Sequence, residues 1–170
     1  MKGKRLAPGV AYLGIPNVLT SKSDSSLSLE DIQNSWSCVA ANVVKKAAEE
    51  YVVHLKSGLS KDEAMERTSQ SRFIAAKVHT MGSIFEFFKE SVAEMEETAE
   101  TKLLNTVCRL YGLWQIEEQQ GYFLKCTRSP CICQCADNRA DGYFDAAQMD
   151  KVQESVDALC AEIRKVAGLS

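Results

Sequence analysis

Four sulfurs crowd into ten residues of this chain, in Cys126-Thr-Arg-Ser-Pro-Cys131-Ile-Cys133-Gln-Cys135. Thiolates bind zinc tetrahedrally, and four of them could close a structural site. The spacing argues against it. Zinc sites ordinarily separate the ligands of a pair by about two to four residues, whereas Cys131, Cys133 and Cys135 leave one residue between neighbours. In an extended chain Cys133 would point away from the other two. The expectation is therefore an exposed loop without a defined thiol role. Metal ligation by Cys126, Cys131, Cys133 and Cys135, or a disulfide or redox-sensitive loop, stands as the alternative. Cys38, Cys108 and Cys160 fall in helical patterns, where a thiol acts as a small apolar group. No secretory apolar stretch follows the basic Met1–Arg5, so seven cysteines read as thiols in a reducing compartment.

Other chemistry is sparse. His54 and His79 are the only imidazoles. Neither has a glutamate three residues before it, so the Glu-x-x-His element of di-iron bundles is missing. The carboxylate pairs Glu49-Glu50, Glu96-Glu97 and Glu117-Glu118 are sequence neighbours, which point to different faces of a helix. They read as solvated surface. There is no glycine-rich dinucleotide turn, phosphate loop or nucleophile elbow. The residues themselves assign no catalytic group, and cofactor-binding residues stay unknown.

What would position any such group is helical. The chain has 170 residues, 45% of them apolar, and a net charge of -3, enough for one core. It lacks the cationic excess of a nucleic-acid binder and the 18-residue apolar run of a membrane span. Residues 1–27 hold Pro8, Gly9, Gly14 and Pro16 and read as an extended lead-in. Residues 28–170 read as a helical bundle interrupted by the Cys-rich loop at 126–144. Ser28 with Asp31 and Ser60 with Glu63 resemble helix-opening caps, and Gly58 a stop. Ile32, Trp36, Val39 and Val43 form a first apolar stripe. Ile74, Val78, Met81, Phe85, Phe88, Val92 and Met95 form a second, long enough to need a partner helix. Leu103, Val107, Leu110 and Trp114 form a third, and Met149 through Val166 a fourth. Trp36, Trp114, Phe85 and Phe88 read as packing residues. An all-α, up-down bundle of about four long helices follows.

The stretch Arg109-Leu-Tyr-Gly-Leu-Trp through Gly121-Tyr-Phe-Leu124 resembles a helix of the acyl-CoA oxidases, in which a Leu-Tyr-Gly step precedes Gly-x-Phe-Leu by about ten residues. Gly9-Val-Ala-Tyr-Leu13 is similar to the family's segment leading out of its flavin-bearing half. Trp36 with Val39–Ala48 is similar to the first helix of its C-terminal helical domain, and Cys160–Arg164 to a later one.

The resemblance implies a peroxisomal flavoenzyme that oxidises an acyl-CoA to the trans-2-enoyl-CoA with FAD and dioxygen. Its catalytic glutamate lies in a flavin half upstream of the matching segments, so no catalytic residue carries over. Both ends read as truncated, and Gly168-Leu169-Ser170 is not a Ser-Lys-Leu-type peroxisomal address. The expectation is a C-terminal helical domain, inactive alone and without FAD of its own. Its partners would be the flavin-bearing half or a second subunit, with the Ile74–Met95 seam as the surface buried against them. A stand-alone interaction module, or a metal- or redox-sensing Cys-loop protein, is the other reading.

Overall fold

Ser28 and Ser60 open helices through reciprocal caps. Ser28 Oγ accepts from the Asp31 N–H at 3.2 Å, and the Asp31 carboxylate accepts from the Ser28 N–H at 3.0 Å. Ser60 and Glu63 repeat the arrangement at 3.3 and 2.9 Å. Each box satisfies orphan amides of a first turn and contributes about 1 kcal/mol. In the computed structural model, which describes residues 7–14, 27–124 and 144–168, these caps begin α1 (Leu29–Lys56) and α2 (Lys61–Arg67). Between them Gly58 takes φ 93°, the left-handed turn that glycine adopts without strain.

The stretch opened at Ser60 is two rods. At Thr68 the backbone leaves the helical region (φ -95°, ψ 9°), and the side-chain hydroxyl donates to the Ala64 carbonyl at 2.8 Å. Beyond it runs α3 (Ser69–Ala93). Thr98 caps α4 (Ala99–Glu118), which passes into the short α5 (Gln120–Leu124). A third capping box, Asp145 with Gln148, starts α6 (Ala146–Val166). Among the described residues there are four long helices, two short ones and no strand. The all-α, up-down bundle is the observed fold.

Side-chain pairs set the register. Lys89 meets Glu30 at 3.1 Å, a Gly82 Cβ would lie 3.3 Å from Trp36, and Ser71 hydrogen-bonds Glu50. The paired positions rise along α1 as they fall along α3, so the two are antiparallel. Phe88 against Tyr111 and Lys77 Nζ donating to Gln119 at 3.0 Å run α3 antiparallel to α4 in the same way. α6 packs along α4. Arg109 Nε donates to the Leu27 carbonyl at 2.9 Å, tying the entry to α1 onto α4.

The core sits where α1, α3 and α4 converge. Ile32, Trp36, Phe85, Leu113, Ile116 and Phe123 are fully buried there, and Trp36 meets Phe123 edge-on with centroids 4.9 Å apart. Truncating such an aromatic to alanine costs about 3–5 kcal/mol. α4 reaches this core through Cys108 and Gly112. A Cβ at Gly112 would stand 2.5 Å from a Phe85 ring carbon and 2.7 Å from Ile32, so only glycine lets the helices approach so closely.

Three local readings of the sequence need correcting. The stripe Leu103–Val107–Leu110–Trp114 is not the main core face of α4. Trp114 is 45% exposed, and the buried side carries Cys108, Gly112 and Ile116. The large residues misled because a close helix contact selects small ones. The Ile74–Met95 seam is consumed inside this chain. Val78, Phe85 and Val92 are buried, and Ile74, Met81 and Phe88 pack against the core; only Met95 stays exposed. Within the lead-in, Pro8–Gly14 coils into 3-10 turns instead of lying extended. Its Tyr12 hydroxyl shares a 3.0 Å hydrogen bond with His79 Nδ1. The fourth stripe behaves as read from Met149 to Leu159, and Val166 at its end is exposed.

Candidate functional site

Cys126, Cys131, Cys133 and Cys135 lie outside the described residues, as does most of the 126–144 loop. Of the other thiols, Cys108 is fully buried, and burial pushes its pKa up to about 11 against a slight opposing pull from the Lys89 ammonium. Such a thiol is a packing group, not a nucleophile. Cys38 Sγ accepts from Asn42 Nδ2 at 3.8 Å, and Cys160 is half-buried against the core. Among the described residues no three His, Cys, Asp or Glu side chains converge as metal ligands. No described helix is long and apolar enough to cross a membrane.

His79 serves as the anchor for Tyr12, whose own phenol is pushed up by burial. His54 lies in the last turn of α1, where its backbone carbonyl accepts from Ser57 Oγ at 2.8 Å. Several members of the carboxylate pairs have partners of their own. Glu97 faces Lys102 at 3.6 Å on the exposed α3–α4 connection. Glu49 and Glu50 take Lys45 and Ser71 respectively.

Glu49, Glu50 and Glu118 share a groove of about 700 Å³ where α1, the α2–α3 junction and the α4–α5 junction meet. Lys45, Lys46 and Arg67 supply its cations, and Tyr122 is its aromatic wall. Sequence reading missed this groove because its residues come from three separated segments. Three carboxylates offset three cations, so a pyrophosphate would find no cationic excess. This groove therefore offers no charge complement for a flavin dinucleotide. No step of chemistry is derived through one.

The outer side of α3 holds the other feature that the sequence stripes hid. Phe73, Ile84 and Phe87 point away from the core. Their spacing of eleven and three residues is itself a helical face, and that was the signal available.

The acyl-CoA oxidase family, described as "Acyl-CoA oxidase", matches residues 28–167, which include all six described α-helices. The chain belongs to the acyl-CoA oxidase family. It is 30% identical to acyl-coenzyme A oxidase 3 of Yarrowia lipolytica over 174 residues, covering 98% of this chain and 22% of that protein. It is 31% identical to acyl-coenzyme A oxidase 2 of the same yeast, at 96% and 22% coverage. Peroxisomal acyl-coenzyme A oxidase 2 of Rattus norvegicus is 26% identical over 96% of the chain and 22% of its own length. The crystal structure of the Yarrowia oxidase 3 superposes with a TM-score of 0.82 at 30% identity, over 99% of this chain and 22% of that one. Acyl-CoA oxidase-2 of Caenorhabditis elegans, solved with FAD, ascaroside-CoA and ATP, shares the fold at a TM-score of 0.78 and 20% identity, over 95% of this chain and 21% of that one. The chain thus spans about a fifth of the length of the acyl-CoA oxidases it matches.

Proposed function

We propose that this chain is the C-terminal helical portion of an acyl-CoA oxidase, a packing and dimerisation element that oxidises nothing by itself. One observation carries the reading: a match that runs through every described α-helix occupies 22% of the oxidases it resembles. The described residues support it from the chemical side. Desaturation of an acyl-CoA needs a positioned carboxylate to take the proton beside the thioester, a flavin to accept the hydride from the next carbon, and a pocket that excludes water. Most of the described carboxylates are exposed, and Glu49, Glu50 and Glu97 are engaged with Lys45, Ser71 and Lys102. The catalytic glutamate, the FAD and most of the acyl-CoA site would belong to the flavin-bearing portion. There the whole enzyme would convert an acyl-CoA to the trans-2-enoyl-CoA and pass the electrons to dioxygen. On the same reading the whole enzyme would reside in the peroxisome, as the rat relative's name says of that protein.

The test is direct. Purified chain is incubated with palmitoyl-CoA, FAD and air, and hydrogen peroxide is followed with a peroxidase-coupled dye. The expected rate is that of buffer, and sustained turnover proportional to protein would sink the proposal.

A further inference from the structure

α3 is apolar on two sides. Val78, Phe85 and Val92 fill the core from one, while Phe73 and Phe87, each 65% exposed, and Ile84, 47% exposed, occupy the other. At 3.6 residues per turn these three lie within about 60° of one another, along about 21 Å of helix. Between them stand Lys77, whose ammonium is taken up by Gln119 at 3.0 Å, and Thr80. The line carries no carboxylate. A helix with a second apolar stripe has a second surface to bury, and nothing within the described bundle covers this side of α3.

We propose that the Phe73–Ile84–Phe87 face docks the bundle onto an apolar surface of the flavin-bearing portion of an acyl-CoA oxidase. The proposal rests on the functional reading above and names the surface through which that reading works. It also replaces the Ile74–Met95 seam, which the core already uses. Two observations select this occupant over a second copy of the chain. The Yarrowia oxidase 3 structure contains this bundle as 22% of its length, so a large body of additional chain accompanies the same helices there. The three side chains expose roughly 350 Å² in all, taking 150–250 Å² for a whole aromatic side chain. Self-pairing through this stripe alone falls short of the roughly 800 Å² per partner of a stable association. A small apolar contact suffices where it is one patch of a larger interface, or where a linker raises the effective concentration.

Crosslinking in the cells that naturally make the protein tests this. Photoreactive benzoylphenylalanine replaces Phe87 in one strain and Ala158, exposed on α6, in another, and crosslinked peptides are identified by mass spectrometry. Position 87 should capture flavin-bearing oxidase peptides, in the same polypeptide or another, at least about tenfold above position 158. Capture of a second α3 would overturn the choice of occupant. Capture from position 158 and not from 87 would overturn the face and leave the functional reading standing. No oxidase capture from either position would overturn both. In purified protein Phe87→Asp should leave helix content and melting temperature unchanged; unfolding would show that Phe87 belongs to the bundle and refute its docking role.

Discussion

Replacing Gly112 by alanine sets two known effects against each other. Away from tertiary contacts, glycine to alanine in a helix gains about 1 kcal/mol. At Gly112 the new methyl would lie 2.5 and 2.9 Å from two Phe85 ring carbons and 2.7 Å from an Ile32 methyl. Carbon atoms sit comfortably at about 3.5–4.0 Å, so each contact must open by about 1 Å. Phe85 is 1% exposed and Ile32 fully buried, so neither has room to retreat. Overpacking of this kind costs about 1–3 kcal/mol. With clashes on two sides the upper part of that range applies, and the net loss is about 1–2 kcal/mol. For a chain of this size that lowers the melting temperature by about 3–6 °C. Two controls carry the same propensity gain with graded sterics. A Gly82 Cβ meets Trp36 Cβ at 3.3 Å, and Gly121 has nothing within 4 Å. Gly82→Ala should be near neutral, and Gly121→Ala should stabilise by about 0.5–1 kcal/mol. Thermal and urea melts followed by circular dichroism measure all three. A Gly112→Ala protein as stable as Gly121→Ala would refute the claim that glycine sets the α1–α3–α4 spacing.

Ser60→Ala should lower stability by about 1 kcal/mol through the lost cap. It should also flatten part of the acid limb. The Ser60 hydroxyl and amide hold Glu63 below its ordinary 4.5, so this contribution is present above that pH and disappears as pH falls through the lowered value; urea midpoints across that range report it. Cys108 should resist iodoacetamide in the native protein while Cys160 reacts faster, as peptide mapping would show. Because its pKa is raised from 9.0 to about 11, its stabilising effect is complete below 9 and is lost as pH climbs toward 11, with Tyr12 acting in the same sense. Acrylamide should quench one tryptophan readily, and Trp114→Phe should remove that component, since Trp36 is fully buried; strong quenching after the substitution would contradict the core packing.

Part of what is encoded locally was legible in the sequence. The Ser28 and Ser60 boxes needed only a hydroxyl, a carboxylate and a spacing of three. The Met149–Leu159 stripe needed only a helix with one buried side. What depends on distance between helices was not. α4 turns Gly112 and Cys108 inward because α1 and α3 press closely on it, and periodicity weighs large residues over small ones. The Thr68 break was hidden because no glycine or proline marks it, and the hydroxyl's bond back to Ala64 leaves no compositional mark. The outer face of α3 was masked by its inner one, since two apolar stripes on one helix look like a single strong signal. The groove around Glu49, Arg67 and Glu118 joins residues that only folding brings together. The sulfurs at 126–135 remain a sequence feature alone.

The way α6 leans on α4 has a dynamic consequence. Among the described elements α1, α3 and α4 brace one another from several directions, whereas α6 packs mainly along one neighbour, with Phe144 stacked on Phe123 at its root. Such an element opens as a separate unit, at a lower free energy than the rest. Its amides should trade hydrogen for deuterium ahead of those in α1 and α3, which makes the last helix the hinge-side leaf of an otherwise rigid book.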